Sequence, residues 1–402
     1  MTRSRTIVIA GAGIGGLTAA LALTRQGFRV VVLEAARELT AVGAGIQLAP
    51  NATRILETLG VSPRLAPFAV APSGVDVRAA PNGRLVTHIG FDRKDAPYWS
   101  VHRGDLQRAL LETAADNEDI VLRLGVSVAD HAQHAHGVTV AATVMGRAVR
   151  IMTEESGIAL IGADGLWSAV RGSLGHHVKP KSAQRMAWRA TIPAAHVDPA
   201  WRKAAVTLWL GSNAHLVHYP VRGGDLINVV AIVSDGKSVD PKAGGSWSVP
   251  GDAAALQARF ATWAPAARDL LAAAPGWQCW PLYEMPQLPY WGRGAATLLG
   301  DAAHATLPFL AQGGALAIED AAELAAQLAR HRDDLAGGMR AYEAARRPRT
   351  ARAVREAARN GRIYHLPGPL GFVRNAVMAS LGGERLKKRY DWLYDWRVSR
   401  GP

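Results

Sequence analysis

"TIVIAGAGIGGLTAALALTRQGFRVVVLEA", residues Thr6–Ala35, decides the fold. "TIVIA" is β-branched and apolar, the pattern of a short buried strand. "GAGIGG" follows as a turn, "LTAALALTRQG" as a helix, and "RVVVLEA" as a second parallel strand that includes Glu34. Strand, glycine turn, helix, strand and acid in that order make a βαβ unit that cradles a dinucleotide. Gly11 permits the tight turn, Gly13 lets the backbone approach a pyrophosphate, and Gly16 lets the helix pack on the strand. The helix N-terminus offers free N–H groups and partial positive charge to that pyrophosphate. Glu34 lies about twenty residues beyond the glycines, where a carboxylate accepts hydrogen bonds from a ribose hydroxyl.

The same run carries no charge from Thr6 to Thr24 and follows Arg3 and Arg5, so it imitates a signal peptide or membrane anchor. Composition argues against both. Gly11, Gly13, Gly15, Gly16, Thr18 and Thr24 interrupt the apolar stretch, and no small-residue cleavage site follows.

With 402 residues, 49% of them hydrophobic and 20% charged, the chain has the composition of a folded protein with room for two domains. Its one cysteine, Cys279, allows no internal disulfide and no thiolate metal cluster, which fits a reducing, cytoplasmic setting and leaves no metal expected. The formal charge is +13, and arginine concentrates in "RAYEAARRPRTARAVREAARNGRIYH", Arg340–His365. Such a face is solvated or paired with acids elsewhere, and no nucleic-acid motif accompanies it. Neither nucleic acid nor membrane is an expected partner.

A nicotinamide dehydrogenase would repeat its mononucleotide-binding half, but no second GxGxxG occurs. Instead "VGAGIQLAPNATRILETLG" forms a second glycine loop and helix. "ALIGADGLWSAVR" and "ATLLGDAAHATLPFLAQGGALAIEDAAELAAQLA" then each place an aspartate, Asp164 and Asp301, in a strand-to-helix turn. Taken singly, each Asp could be only a helix cap.

Together with "VHRGDLQRALL", "HLVHYPVRGGD" and "YEAARRPRTARAVREAARNG", these segments resemble the single-component FAD-dependent aromatic hydroxylases of the para-hydroxybenzoate hydroxylase fold. The branch is that of the salicylate, 3-hydroxybenzoate and 6-hydroxynicotinate hydroxylases, and the resemblance spans nearly the whole chain. It implies an α/β fold: a Rossmann-like FAD-binding domain, an inserted antiparallel-sheet substrate domain and a C-terminal helical segment. The expected bounds are 1–70, 100–180 and 287–345 for FAD, 71–99 and 181–286 for substrate, and 346–402 for the helical region.

The resemblance further implies that Gly11, Gly13, Gly15, Gly16 and Glu34 hold the ADP half of FAD, with Ala44, Gly45 and Arg103 also at the cofactor. Asp301 would bind the ribityl or pyrophosphate region. Asp164 matches a residue used for FAD and for transient nicotinamide docking. Pro308, Gly313 and Gly314 would bring backbone N–H groups to the flavin carbonyls. Similar proteins often carry Gly-Ala-Asn where this chain has Gly313, Gly314 and Ala315, so an amide side chain near the ring is lost.

From Lys181 to Pro286 the chain alternates as strands, and "RGGD", Arg222–Asp225, turns "HLVHYPV" back onto "LINVVAIV" as a hairpin. The two-residue period puts His215, Val217 and Tyr219 on one face and Leu216 and His218 on the other. Hydroxylation beside a phenol gains from withdrawing its proton, which suits histidine. By resemblance, His215 and Tyr219 are the catalytic pair, and Gln47, His215, Tyr219 and Pro308 bind substrate. Gln47 stands where some hydroxypyridine-acting relatives carry histidine, which points toward a hydroxybenzoate. His304 is read as packing or chemistry, and Trp392 and Trp396 as core packing. The C-terminal aromatic segment either covers the substrate domain or joins two chains into a homodimer.

The expected activity is a monooxygenase: NADH or NADPH reduces FAD, O2 adds as a flavin C4a-hydroperoxide, and oxygen passes to a small phenolic or hydroxy-aromatic acid. Two alternatives stand at this point. One is a FAD-dependent oxidase or dehydrogenase of the same fold, and the other a basic flavin-binding interaction protein.

Overall fold

The structure is a computed structural model that describes residues 5–39, 44–91, 95–145, 150–234 and 248–399. Val42 and Gly43 of the second glycine loop, and Arg400 of the C-terminal aromatic segment, lie outside them.

Strand β1 (Thr6–Ala10), helix α1 (Ile14–Thr24) and strand β2 (Arg29–Glu34) form the βαβ unit. α1 is no surface helix: Leu17, Leu21 and Leu23 are all buried, which explains its lack of charge without any membrane. Among the described residues no helix is long and apolar enough to cross a membrane. β3 (Gly45–Leu48), α2 (Pro50–Thr58) and α3 (Ser62–Leu65) follow, then β4 (Gly74–Ala79), β5 (Leu85–Gly90), β6 (Trp99–His102), α4 (Arg103–Ala115) and β7 (Ile120–Leu124). β8 (Val126–His134), β9 (Gly137–Met145) and β10 (Arg150–Gly157) make a three-stranded meander before β11 (Ala159–Gly162) and α5 (Ala169–Ser173).

The segment read as alternating strands supplies β12 (Lys181–Pro193), β13 (Val206–Leu210), β14 (Ala214–Val221), β15 (Leu226–Ser234), β16 (Val249–Gly251) and β17 (Trp277–Glu284). Helices α6 (Ala253–Arg259) and α7 (Pro265–Ala272) interrupt it. β18 (Gly292–Arg293), β19 (Ala296–Leu298), α8 (Asp301–His304), α9 (Gly313–Arg330), α10 (Leu335–Tyr364), α11 (Gly368–Lys388) and α12 (Asp391–Tyr394) complete the chain. The expected boundary between 345 and 346 falls inside α10, which runs on without a break.

Two sheets position the site. The first has the order β18-β19-β11-β1-β2-β7, with β19, β11, β1, β2 and β7 parallel, so their C-terminal ends open on one edge. β1 and β11 carry little but buried aliphatic side chains, as a sheet covered on both faces requires. The second has the order β16-β17-β12-β15-β14-β13-β4-β5. Its back packs Trp209, Leu216, Val229 and Ala231 against Leu256, Phe260 and Leu270 of α6 and α7. Its front faces the cofactor edge of the first sheet and helices α10 and α11.

Candidate active site

The turns after β1, β11 and β19 meet because their strands are neighbours. Gly11 N–H donates to the Leu33 carbonyl (2.7 Å), Ala163 N–H to Ala10 (2.8 Å) and Leu299 N–H to Gly162 (2.9 Å). Gly11 has φ +100°, and a Cβ there would lie 2.5 Å from the Ala163 carbonyl oxygen, so only glycine fits. A Cβ on Gly16 would lie 1.9 Å from the Gly11 oxygen, while one on Gly13 would meet nothing within 4 Å. Helix α1 starts beside that open space with no side-chain cap and no acid in its first turn, leaving its N–H donors for an anion. Gly15 packs on Leu299 and Gly314 on Ile46.

Glu34 Oε2 accepts from Ala12 N–H (2.7 Å) and Oε1 from Ala36 N–H (2.8 Å). Each oxygen keeps a lone pair for a ribose hydroxyl. Arg103 opens α4 and Asp301 opens α8, and both present exposed surface in the same cleft. The surrounding walls crowd Asp301 and raise its pKa, while the charges of His304 and Arg103 pull it back. Ala44 accepts from Arg103 N–H (3.2 Å), and Gly45 N–H donates to Asn228 Oδ1 (2.6 Å), tying the second glycine loop to the large sheet. α9 likewise begins at Gly313 without a side-chain cap or a first-turn acid. Open cradle, two uncapped helix ends, one arginine and two carboxylates fit the donors and acceptors of FAD.

Asp164 is placed differently from a free cofactor ligand. Its carboxylate accepts from the Ser168 hydroxyl (2.6 Å) and from Val170 N–H (3.1 Å), organising the turn into α5. Its backbone stands beside Gly11 and so shapes the cradle from behind. Burial raises its pKa, and these hydrogen bonds oppose the rise.

The front of the large sheet carries the second half of the site. His215, Val217 and Tyr219 pair with Ile232, Val230 and Asn228 of β15, and those in turn with Ala187, Arg189 and Thr191 of β12. Directly opposed residues share a face, so all nine point forward. Tyr219 hydrogen-bonds Gln47, whose Oε1 also accepts from Tyr98 Oη at 2.7 Å. Burial raises the Tyr219 pKa, while the Arg189 charge and the Gln47 hydrogen bond oppose it. Pro308 opens the short turn Pro308–Leu310, and the next residue, Phe309, lies 5.3 Å from the His215 ring centroid.

His215 is buried. Its Nδ1 lies 2.8 Å from His365 Nε2, and its Nε2 bonds no described residue. Burial, then the charge of a protonated His365 and that of Arg185, hold its pKa well below the usual imidazole value. His218 points backward, accepting from Trp209 Nε1 (3.2 Å) against Trp201, and burial takes its pKa down to about 3.

Sequence reading passed over Arg189. Its Nε is buried with no hydrogen-bond partner among the described residues, and its guanidinium stacks 5.2 Å from the Trp280 ring centroid. Burial lowers its pKa, and the charges acting on it are Tyr219 and Arg103, with no carboxylate. The alternation of "RMAWRATIP" was the available signal, but alternation alone does not say which face looks at the cofactor. His365 and Tyr98 were passed over for the same reason: each reaches the site only through tertiary packing.

The arginine-rich helix pairs inward. Arg346 Nη1 contacts Glu319 Oε2 and its Nε contacts Asp320 Oδ1, each at 2.6 Å, and all three side chains are fully buried. Arg349 adds two contacts of 2.6 Å to Glu319. Trp392 and Trp396 stack on these arginines, which makes their packing a cation–π one. His304 Nε2 lies 2.5 Å from Asp320 Oδ2. Burial alone would raise the Asp320 pKa, but His304 and Arg346 hold it at about 2. His304 is therefore fixed by this network. A surface groove of about 470 Å³ lined by Phe68, Asp105, Arg108 and Arg222 shares no lining residue with the cleft, and Arg108 and Arg222 both pair with Asp105.

Known proteins resemble this chain over nearly its full length. The family described as "FAD binding domain" matches residues 4–357. A 3-hydroxybenzoate 6-hydroxylase of Polaromonas naphthalenivorans (strain CJ2) is 35% identical over 98% of this chain and 96% of its own. A 3-amino-4-hydroxybenzoate 2-monooxygenase, PtnB3 of Streptomyces platensis, is 34% identical over 99% and 98%. The crystal structure of Klebsiella pneumoniae HpxO with FAD and uric acid superposes with a TM-score of 0.81 at 28% identity, covering 96% of this chain and 95% of that one.

Proposed function

Since the chain belongs to the FAD binding domain family and is a FAD-dependent aromatic monooxygenase, we propose that it hydroxylates a small hydroxybenzoate, with the carboxylate at Arg189 and the hydroxyl at His215. One observation carries this orientation: a guanidinium whose Nε has no hydrogen-bond partner among the described residues, and an imidazole whose Nε2 bonds none of them, share the front of one sheet, with Val217 and Val230 between them. At about 4.8 Å per strand, β12 and β14 stand roughly 10 Å apart, so both side chains lean over a short apolar floor. A charged acid at one end and a phenol at the other answer that floor.

Gly11, Gly13, Gly15, Gly16, Glu34, Ala44, Gly45, Arg103 and Asp301 would hold FAD along the cradle, with Pro308, Gly313 and Gly314 at its ring and Asp164 bracing the turn. When bound and reduced by NADH or NADPH, FAD activates O2 and supplies an electrophilic oxygen atom. Arg189 anchors the substrate carboxylate by paired charge-assisted hydrogen bonds. His215 Nε2 takes the phenolic proton, so that electron density reaches the ring positions ortho and para to the oxygen. Tyr219, oriented by Gln47 and Tyr98, hydrogen-bonds the same substrate, and the buried wall around Phe309 excludes water.

In domain terms, cofactor work is assigned to 1–70, 100–180 and 287–345, and substrate work to 71–99 and 181–286. The single, buried Cys279 supports a cytoplasmic setting. Leu370, Val373, Val377 and Leu381 recur at helical spacing on α11 and are exposed, which supports a homodimer joined there.

The test is NAD(P)H oxidation against salicylate, 3- and 4-hydroxybenzoate and hydroxynicotinates, with product and peroxide both measured. At least one monohydroxybenzoate should give dihydroxy product one-for-one with nicotinamide consumed. Flavin reduction by substrate without nicotinamide, or equal turnover of phenols that lack a carboxylate, would overturn the proposal.

A further inference from the structure

We infer that His365 and Ser234 form, with His215, a proton relay from the substrate hydroxyl to the protein surface, and that His365 is a positioning residue that fixes which nitrogen of His215 is the base. The inference rests on the assignment of His215 as base. Three groups stand in line: His215 Nδ1 lies 2.8 Å from His365 Nε2, and His365 Nδ1 lies 3.0 Å from Ser234 Oγ. The two imidazoles are buried, while Ser234 reaches partly exposed surface at the end of β15.

The line is held by backbone. Asn213, in a left-handed turn with φ +55°, donates its N–H to the His365 carbonyl (3.1 Å) and accepts from Ser234 N–H (3.0 Å). Arg374 of α11 donates to the Tyr364 (2.7 Å), Ile363 (3.3 Å) and Leu210 (3.3 Å) carbonyls and pins the end of α10 to β13.

Proton positions in such a line are coupled. When His365 Nδ1–H donates to Ser234, its Nε2 is an acceptor, and His215 must donate Nδ1–H to it. His215 Nε2 is then bare, the tautomer a base needs. Uptake of the phenolic proton at Nε2 breaks the substrate O–H bond. His215 Nδ1–H passes to His365 Nε2, His365 Nδ1–H passes to Ser234 Oγ, and the Ser234 hydroxyl proton leaves to water. One proton enters and one leaves, and no ring ends charged. Return of a proton to the product oxygen runs the line backward and restores it.

The surroundings explain why a relay is needed. The charged groups acting on the two rings from the neighbouring strand and helix are the cations Arg185 and Arg374, and the other ionisable side chain against them is Tyr364. Burial, then these arginines, take the His365 pKa down to about 3. An imidazolium is therefore costly at either ring, and a proton taken up must be handed on.

The experiment uses the FAD-loaded enzyme and a turned-over hydroxybenzoate, with proton release followed by an indicator dye and phenolate formation by ultraviolet absorbance. His365→Gln keeps an acceptor for His215 but cannot pass a proton. It should bind substrate with KM little changed and release the proton about tenfold more slowly or worse, with an enlarged solvent isotope effect. His365→Phe removes the acceptor too and should abolish the phenolate signature. Thermal melting and flavin absorbance confirm that each variant is folded, and Ser234→Ala should slow release alone. Unchanged release in His365→Gln, with His215→Asn impaired, would overturn the relay and leave the base assignment standing. An unimpaired His215→Asn would overturn both.

Discussion

Replacing Arg189 by methionine should move activity and stability in opposite directions. In the ligand-free protein the guanidinium is a burden: among the described residues its buried Nε has no partner, and no carboxylate offsets its charge. An unsatisfied buried donor costs about 1–3 kcal/mol, and the contact with Trp280 returns about 0.5–1 kcal/mol. Methionine fills similar volume without either term, so Arg189→Met should gain about 1 kcal/mol, a rise in Tm of roughly 1–2 °C for a chain of this size. With substrate, the same change removes two charge-assisted hydrogen bonds to a carboxylate, roughly 3–5 kcal/mol, or about 10²–10⁴ in kcat/KM. The carboxylate is held alike before and during reaction, so the loss should fall on KM. Steady-state kinetics with a hydroxybenzoate and its methyl ester, together with thermal melts, give both readouts. The reasoning fails if the variant still prefers acid to ester, or if it loses Tm along with equal activity on both substrates.

Four further outcomes are expected. Gly13→Ala should fold normally yet bind FAD weakly in titration, because its Cβ enters open cradle, whereas Gly16→Ala should lose both folding and flavin, because its Cβ meets backbone at 1.9 Å. Arg346→Met takes the shared cation from two buried carboxylates, leaving Glu319 with Arg349 and Asp320 with His304, and should cost about 3 kcal/mol in urea unfolding. His215, His218 and His365 have folded pKa values below the unfolded value near 6.5, so the unfolded chain binds more protons in the window between. Stability should therefore be complete above about pH 6.5 and fall below it, by about 1.4 kcal/mol per pH unit for each independent ring, and a flat profile from pH 7 to 5 would contradict this. Asp320, held at about 2, begins to cost stability only as pH falls below its unfolded value near 4, while the raised Asp164 and Asp301 act oppositely and above that value, adding stability as pH falls toward it. If α11 joins the proposed homodimer, the protein should scatter light as a dimer and Val377→Glu as a monomer, with the flavin spectrum unchanged.

Local chemistry made the cradle readable. Gly11, Gly13, Gly16 and Glu34 work through the strand-turn-helix they belong to, and the three turns meet because parallel strands order themselves side by side. The two-residue period likewise put His215 and Tyr219 on one face and His218 on the other, as β14 has them. Arg189 was out of reach because its place depends on a register relayed through Val230 of an intervening strand. His365 lies 150 residues from His215 and arrives only because α10 ends there. The buried partners of Arg346 and Arg349 depend on how α10 crosses α9, which charge composition does not encode.

Helix α10 starts beside the nucleotide sheet, where Tyr342 Oη bonds the Leu298 carbonyl, and ends with His365 against His215. It is a ruler laid between the two halves of the enzyme, anchored at midlength by Arg346. Inserting one residue after that anchor would swing everything beyond it by about 100° and push it about 1.5 Å along the axis. A change of a single residue there dials the imidazole away from His215.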